Sequence, residues 1–292
     1  MATTPEQPEN DNTYFVTDSG SELARLVEQE RYFIRAFGGL FPEHRDPSAF
    51  VAPFHRVVDA ACGSGGWVLD LATAYPNLEV IGFDIDERMI KYASSLARAG
   101  RLDNASFRVM NLLKPLDFPD NSFDLVNARF MSVIPAEVWP KAIQEFYRII
   151  RPGGFIRLTE PENYSLTNGP AFEALSSKFL MAYKVAGLSL SPDGRSAGTT
   201  QNLPVLFRKA GFKNIKVNPL VINWSTGTEG HEPIYQDLKV FMKLLQPFLI
   251  KTGQTTQEEA DRLYHQAEIE MMSDDFGALW YMLTVWAEKP NA

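Results

Sequence analysis

Val57-Val58-Asp59-Ala60-Ala61-Cys62-Gly63-Ser64-Gly65-Gly66 joins an apolar strand to a helix through a turn with almost no side chains. Gly63, Gly65 and Gly66 let the backbone approach a bound molecule and take dihedrals that a Cβ would penalise. The helix that begins near Trp67 aims its free N–H groups at the same point. The turn reads as a ligand cradle. Nineteen residues beyond Gly65, a second apolar run, Glu79 to Phe83, ends in Asp84. A carboxylate at that spacing, at the tip of a neighbouring parallel strand, can accept hydrogen bonds from both hydroxyls of a ribose.

Local details separate two nucleoside ligands. A nicotinamide dinucleotide asks for a third glycine or alanine where this chain has Val68, and for an apolar residue where it has Asp59. A nucleoside sulfonium brings no pyrophosphate, and a carboxylate near its cationic methionine end is an electrostatic gain. At these residues the sequence resembles the class I S-adenosylmethionine-dependent methyltransferases, in the small-molecule branch that includes the ubiquinone and menaquinone enzymes. Their first motif runs Asp-x-Gly-x-Gly-x-Gly; Asp59, Gly63 and Gly65 match it, and Ala61 replaces the first glycine. The resemblance runs from about Phe54 to Phe212 and resumes near Leu279. It includes the Asn121–Arg129 segment, the Arg148–Gly154 helix end and turn, and Leu203–Phe212 before the sixth strand.

The resemblance implies an α/β fold, a Rossmann-like, doubly wound, seven-stranded and mostly parallel sheet, with helical lid insertions after strands five and six. It implies S-adenosyl-L-methionine as cofactor, S-adenosyl-L-homocysteine as product, and a small-molecule acceptor, with a place in secondary metabolism. Asp84 takes the ribose position, Ile85 the wall against adenine, and Asn111 the position that caps the adenine amino group. Asn127 ends the strand beneath the methionine moiety, and Met89, Leu112 and Ala128 complete the set. A helix preceding the core closes over the cofactor in related folds, which makes Tyr14 and Arg25 candidate contacts. The expected activity is methyl transfer to oxygen, nitrogen or carbon of a hydrophobic or aromatic acceptor. The alternatives are pericyclic, decarboxylase or aminopropyl chemistry on the same cofactor, and a non-catalytic cofactor-binding subunit.

Composition agrees. The chain has 292 residues, 45% of them hydrophobic, enough for a sizeable core. A net charge of −8 argues against nucleic acid as a partner. One cysteine excludes an internal disulfide, and four scattered histidines offer no metal spacing. No apolar stretch is long enough for membrane insertion, so the expected location is cytoplasmic, as a monomer or homodimer. Cys62 suits a small buried residue better than a nucleophile, and Asp124 suits a structural role in the turn before its strand.

Along the chain, residues 1–13 are polar and read as a disordered N-terminus, and 14–53 as a helical cap. In the cap, Ser19 and Glu22 have capping-box spacing, and helical periodicity runs to Gly38 and Gly39. The cofactor-binding core covers 54–160 and continues over 201–223; the insertions are 161–200 and 224–276, and 277–292 supply the final strand and tail. Both insertions leave carboxyl ends of strands and are expected to rise over the crevice. Their aromatic and methionine residues, Tyr164, Phe172, Phe179, Tyr183, Trp224, Tyr235, Phe241, Tyr264, Met271, Met272 and Phe276, form the insertions' own core and in part an acceptor pocket. Glu160, ending the fifth strand, and His231, in the glycine-rich turn Gly227 to Pro233, are the candidate catalytic bases.

Overall fold

The computed structural model describes residues 19–163 and 165–291; Tyr14, Tyr164 and the segment 1–13 lie outside them. The chain opens with α1 (Ser19–Ala36) and the short α2 (Pro47–Val51). Gly38 and Gly39, with φ of 90° and 116°, follow α1 where L side chains would be strained. The Glu22 carboxylate accepts from Nε and Nη2 of Arg25, each at 2.7 Å.

Strands and helices then alternate: β1 (Arg56–Ala60), α3 (Gly66–Ala74), β2 (Glu79–Asp84), α4 (Glu87–Gly100), β3 (Ala105–Val109), β4 (Phe123–Arg129), α5 (Trp139–Ile149) and β5 (Ile150–Pro161). Asp86 caps α4 by accepting from Arg88 N–H at 2.8 Å. Beyond β5 come β6 (Leu166–Thr167), α6 (Pro170–Val185), α7 (Thr199–Ala210), β7 (Lys213–Asn223), α8 (His231–Lys251), α9 (Gln257–Met271) and β8 (Ala278–Glu288). Thr256 caps α9 by accepting from Glu259 N–H, as the Thr-x-x-Glu spacing predicts.

The sheet order is β3-β2-β1-β4-β5-β8, with β7 on the far side of β8. The first five strands are parallel, and β8 runs antiparallel to both β5 and β7. The seven expected strands are joined by an eighth, β6, whose two residues pair with the start of β8. Two residues carry no periodicity for a sequence to show. Pro152-Gly153-Gly154 is a second difference: it sits within β5 rather than as a turn before it, and the β4–β5 register shifts there.

One sheet face packs on α5 and α7 through Val58, Val126, Ile156 and Phe207, and the other on α3 through Val57, Val80 and Leu125. A third core joins α1, α6, α8 and α9 through Phe33, Phe179, Phe241 and Leu263, with Trp280 of β8 packed among them. Arg25 fastens this helical layer across the gap, donating to Asp237 of α8 at 2.7 Å, while Gln29 donates to the same carboxylate. No helix among the described residues is long and apolar enough to cross a membrane.

Candidate functional site

Order reverses between β1 and β4, which lie side by side, and a cavity of about 230 Å³ opens beyond their carboxyl ends. Its walls include Asp59, Ala61, Gly63, Asp84, Ile85, Met89, Asn111, Leu112 and Arg25, residues far apart in sequence. Parallel strands that begin and end in register bring their tips to one crevice.

Each glycine of the cradle has its own task. Gly63 has φ 51°, and a Cβ built there meets nothing within 4 Å, so a side chain would enter the open cavity. Gly65 is different: with φ 79°, its Cβ would stand 2.6 Å from the Phe107 ring and 2.7 Å from Ala93, so it serves helix–sheet packing. At Gly66 a Cβ would stand 2.3 Å from Cγ of Glu30, which reaches in from α1. Ala61 holds φ 53° where the first motif has glycine, a strained position that alanine tolerates at a cost of about 1–2 kcal/mol.

Asp84 organises the turn as well as facing the cavity. One oxygen accepts from Gly63 N–H and the other from Asp86 N–H, both at 2.9 Å, and each keeps a lone pair. Burial raises its pKa despite those bonds. Asn111 lines the cavity, and its amide oxygen accepts from Leu113 N–H at 2.8 Å.

Asp59, Asn127 and Arg157 stand in one row across β1, β4 and β5. Asn127 donates to Asp59 at 2.7 Å and accepts from Arg157 at 2.8 Å, and Arg157 pairs with Glu43 ahead of α2. Asn127 is fully buried in this row, behind the cavity wall and not in it, and Ala128 lies in the sheet core. Burial pushes Asp59 up to about 7, against an ordinary 3.8. The folded state therefore holds the proton more tightly. The resulting stability cost is absent in strong acid, accumulates as pH rises from about 4, and is fully present above about 7. Asp59→Asn is expected to raise the melting temperature over wild type more at pH 8 than at pH 5; a pH-independent difference in thermal melts would contradict this.

Two candidate bases sit elsewhere. Glu160 is fully buried and turns its carboxylate onto the N–H groups of Met131 at 2.7 Å and Ser132 at 3.1 Å, capping a single 3-10 turn; burial pushes it up to about 8. His231 is the first residue of α8, not a loop residue, and its Nε2 bonds the Met271 carbonyl at 2.8 Å. Neither lines the cavity. Cys62 is packed against Gly82, and burial raises its thiol pKa, away from thiolate chemistry. Asp124 accepts from the His55 and Arg56 N–H groups and from Arg151, which ties the strand entrance together.

The Methyltransferase domain family matches residues 57–154, the span that holds the cradle, Asp84 and Asn127. A demethylmenaquinone methyltransferase of Geobacillus kaustophilus is 30% identical over 174 residues, covering 56% of this chain and 73% of that protein. This chain belongs to the class I S-adenosylmethionine-dependent methyltransferases. The N-methyltransferase verN of Clonostachys rogersoniana is 28% identical over 215 residues, covering 72% of this chain and 69% of that one. Among solved structures, the phosphoethanolamine N-methyltransferase 2 of Haemonchus contortus, bound to phosphomonomethylethanolamine and S-adenosylhomocysteine, shares the fold. Its TM-score is 0.55 at 18% identity, over 98% of this chain and 61% of that one.

The methyltransferase uses S-adenosylmethionine and acts on a small molecule. Several of its cavity residues escape a reading of the sequence: Glu30 and Leu26 on α1, Arg129 and Phe130 at the end of β4, and Trp280 in β8. Of the aromatic and methionine residues of the two insertions, Phe241 reaches the cavity. Phe172, Phe179, Tyr183, Trp224, Tyr235, Tyr264, Met271 and Phe276 fill the helical core instead, and Met272 is exposed.

Proposed function

We propose that this methyltransferase binds its cofactor along the Gly63–Asp84–Asn111 wall and methylates an apolar, aromatic acceptor lodged beneath α1 and α8. The observation that carries the reading is the mixed character of a single cavity. The polar groups Asp59, Asp84 and Asn111 come to it from the ends of β1, β2 and β3, and the large apolar side chains Leu26, Phe130, Phe241 and Trp280 from α1, the end of β4, α8 and β8. The cofactor fits the polar groups. Gly63 leaves the space that a Cβ would fill, and each Asp84 oxygen keeps a lone pair for a ribose hydroxyl. Ile85 and Leu112 supply apolar walls for a purine, with the Asn111 amide beside them.

S-adenosylmethionine, when bound, supplies a methyl group on positively charged sulfur. The protein's part is to hold the acceptor's nucleophilic atom in line and to exclude water, since alignment alone can lower a barrier by roughly 7–11 kcal/mol. Leu26 and Phe241 close the cavity from opposite helices, and the Arg25–Asp237 pair holds those helices together. The α1 segment and the insertions 161–200 and 224–276 therefore act as the lid. With Glu160 and His231 turned away, the reaction runs on an acceptor that ionises readily or needs no base. Composition supports cytoplasmic residence.

The test is a cell extract incubated with methyl-labelled cofactor and followed by mass spectrometry. The expected result is label in an aromatic or apolar small molecule, with S-adenosylhomocysteine formed in step. Phe241→Ala should then raise KM for that acceptor about tenfold or more while leaving S-adenosylhomocysteine affinity unchanged. Label in a strongly polar acceptor, or a Phe241→Ala enzyme with unaltered KM, would refute the assignment.

A further inference from the structure

Arg129 ends β4 and enters the cavity wall with its side chain 8% exposed. Among the described residues its protein partner is Glu30 of α1, which binds one end of the guanidinium. The Nε is buried with no hydrogen-bond partner. Proteins seldom leave a buried donor unmatched, least of all on a charged group, because the lost hydration is not recovered. Glu30 reaches this place because residue 66 has no side chain. A helix outside the sheet, a strand end and a glycine of the cradle thus meet to hold one arginine in the wall of a ligand cavity.

A guanidinium with spare N–H groups matches a carboxylate, whose two oxygens suit its planar fork. Location narrows the source. Arg129, Glu30 and Arg157 all act electrostatically on Asp59, so Arg129 faces the end of the cavity where β1 meets β4. A ligand group with a carboxylate beside an ammonium satisfies every charge there: the anion meets Arg129, and the cation meets Glu30 and Asp59. We propose that Arg129 anchors the carboxylate of the cofactor's amino-acid end, and that Glu30 is the positioning residue that fixes its guanidinium. This rests on the cofactor placement proposed above.

The experiment compares two ligands by calorimetry on the full chain: S-adenosylhomocysteine, and 5′-methylthioadenosine, which keeps the nucleoside and thioether but has no amino-acid end. Arg129→Gln is expected to weaken S-adenosylhomocysteine about 10- to 100-fold and leave 5′-methylthioadenosine within about twofold. Arg129→Lys, which keeps the charge and loses the fork, should fall between, and Glu30→Ala should show a smaller loss with the same selectivity. Unchanged S-adenosylhomocysteine affinity in Arg129→Gln, or equal losses for both ligands, would overturn the anchor while leaving the cofactor placement standing. Wild-type protein that binds neither ligand would overturn both. Retained 5′-methylthioadenosine binding also shows that the variant folds.

Discussion

Gly63→Val is expected to abolish measurable S-adenosylhomocysteine binding, a loss of at least about a hundredfold in affinity. Two effects combine. The backbone at Gly63 has φ 51°, which a β-branched residue resists, and a Cβ there faces open space. The valine methyl groups would therefore occupy the volume that the ligand needs. The strain threatens stability, so the variant's melting curve should accompany the titration. A folded variant that binds within threefold of wild type would mean that the ligand passes elsewhere.

Asp84→Ala is expected to weaken the same ligand by one to two orders of magnitude. A hydrogen bond to a charged group contributes roughly 1.5–3 kcal/mol, and loss of the carboxylate also frees the Gly63 and Asp86 N–H groups that hold the turn. Asp84→Asn separates these contributions. It keeps one acceptor oxygen, so it should restore part of the turn and little of the ribose contact. Calorimetry showing unchanged affinity in Asp84→Ala would remove the ribose assignment.

β1 and β2 were legible because each is a short, mostly apolar run that carries an aspartate at or near its carboxyl end, while β3, with Ser106 and Arg108, is the less apolar third. Asp59, Asp84 and Asn111 fall at or near the ends of these strands, and the parallel sheet brings the ends together. Position in sequence does not say which way a side chain turns. Glu160 also lies near the end of a strand, yet its carboxylate bends back and accepts from the Met131 and Ser132 N–H groups at the start of the 3-10 turn. His231 looked like a loop residue, yet Gly230 is where the chain turns into α8 and carries the histidine toward α9.

Long-range packing hid the rest. Glu30 and Arg129 lie in an amphipathic helix and at a strand end, with no motif linking them, and their pairing exists only once α1 docks. Gly66 reads as a cradle residue in sequence and acts as a notch for Glu30 in the fold. The same holds for the acceptor wall. Phe241 and Phe179 are both buried aromatic residues of the helical layer, and only the docking of α8 on α1 turns Phe241 to the cavity. Trp280 lies in the final strand, where the sequence pattern shows a core residue and no more.

A crystal structure of the full chain with S-adenosylhomocysteine tests the cofactor site most directly. The predicted result places both ribose hydroxyls within hydrogen-bond distance of the Asp84 carboxylate, with the sulfur facing Phe130 and Phe241. Ribose density away from Asp84, or a nucleoside bound outside the crevice between β1 and β4, would contradict it.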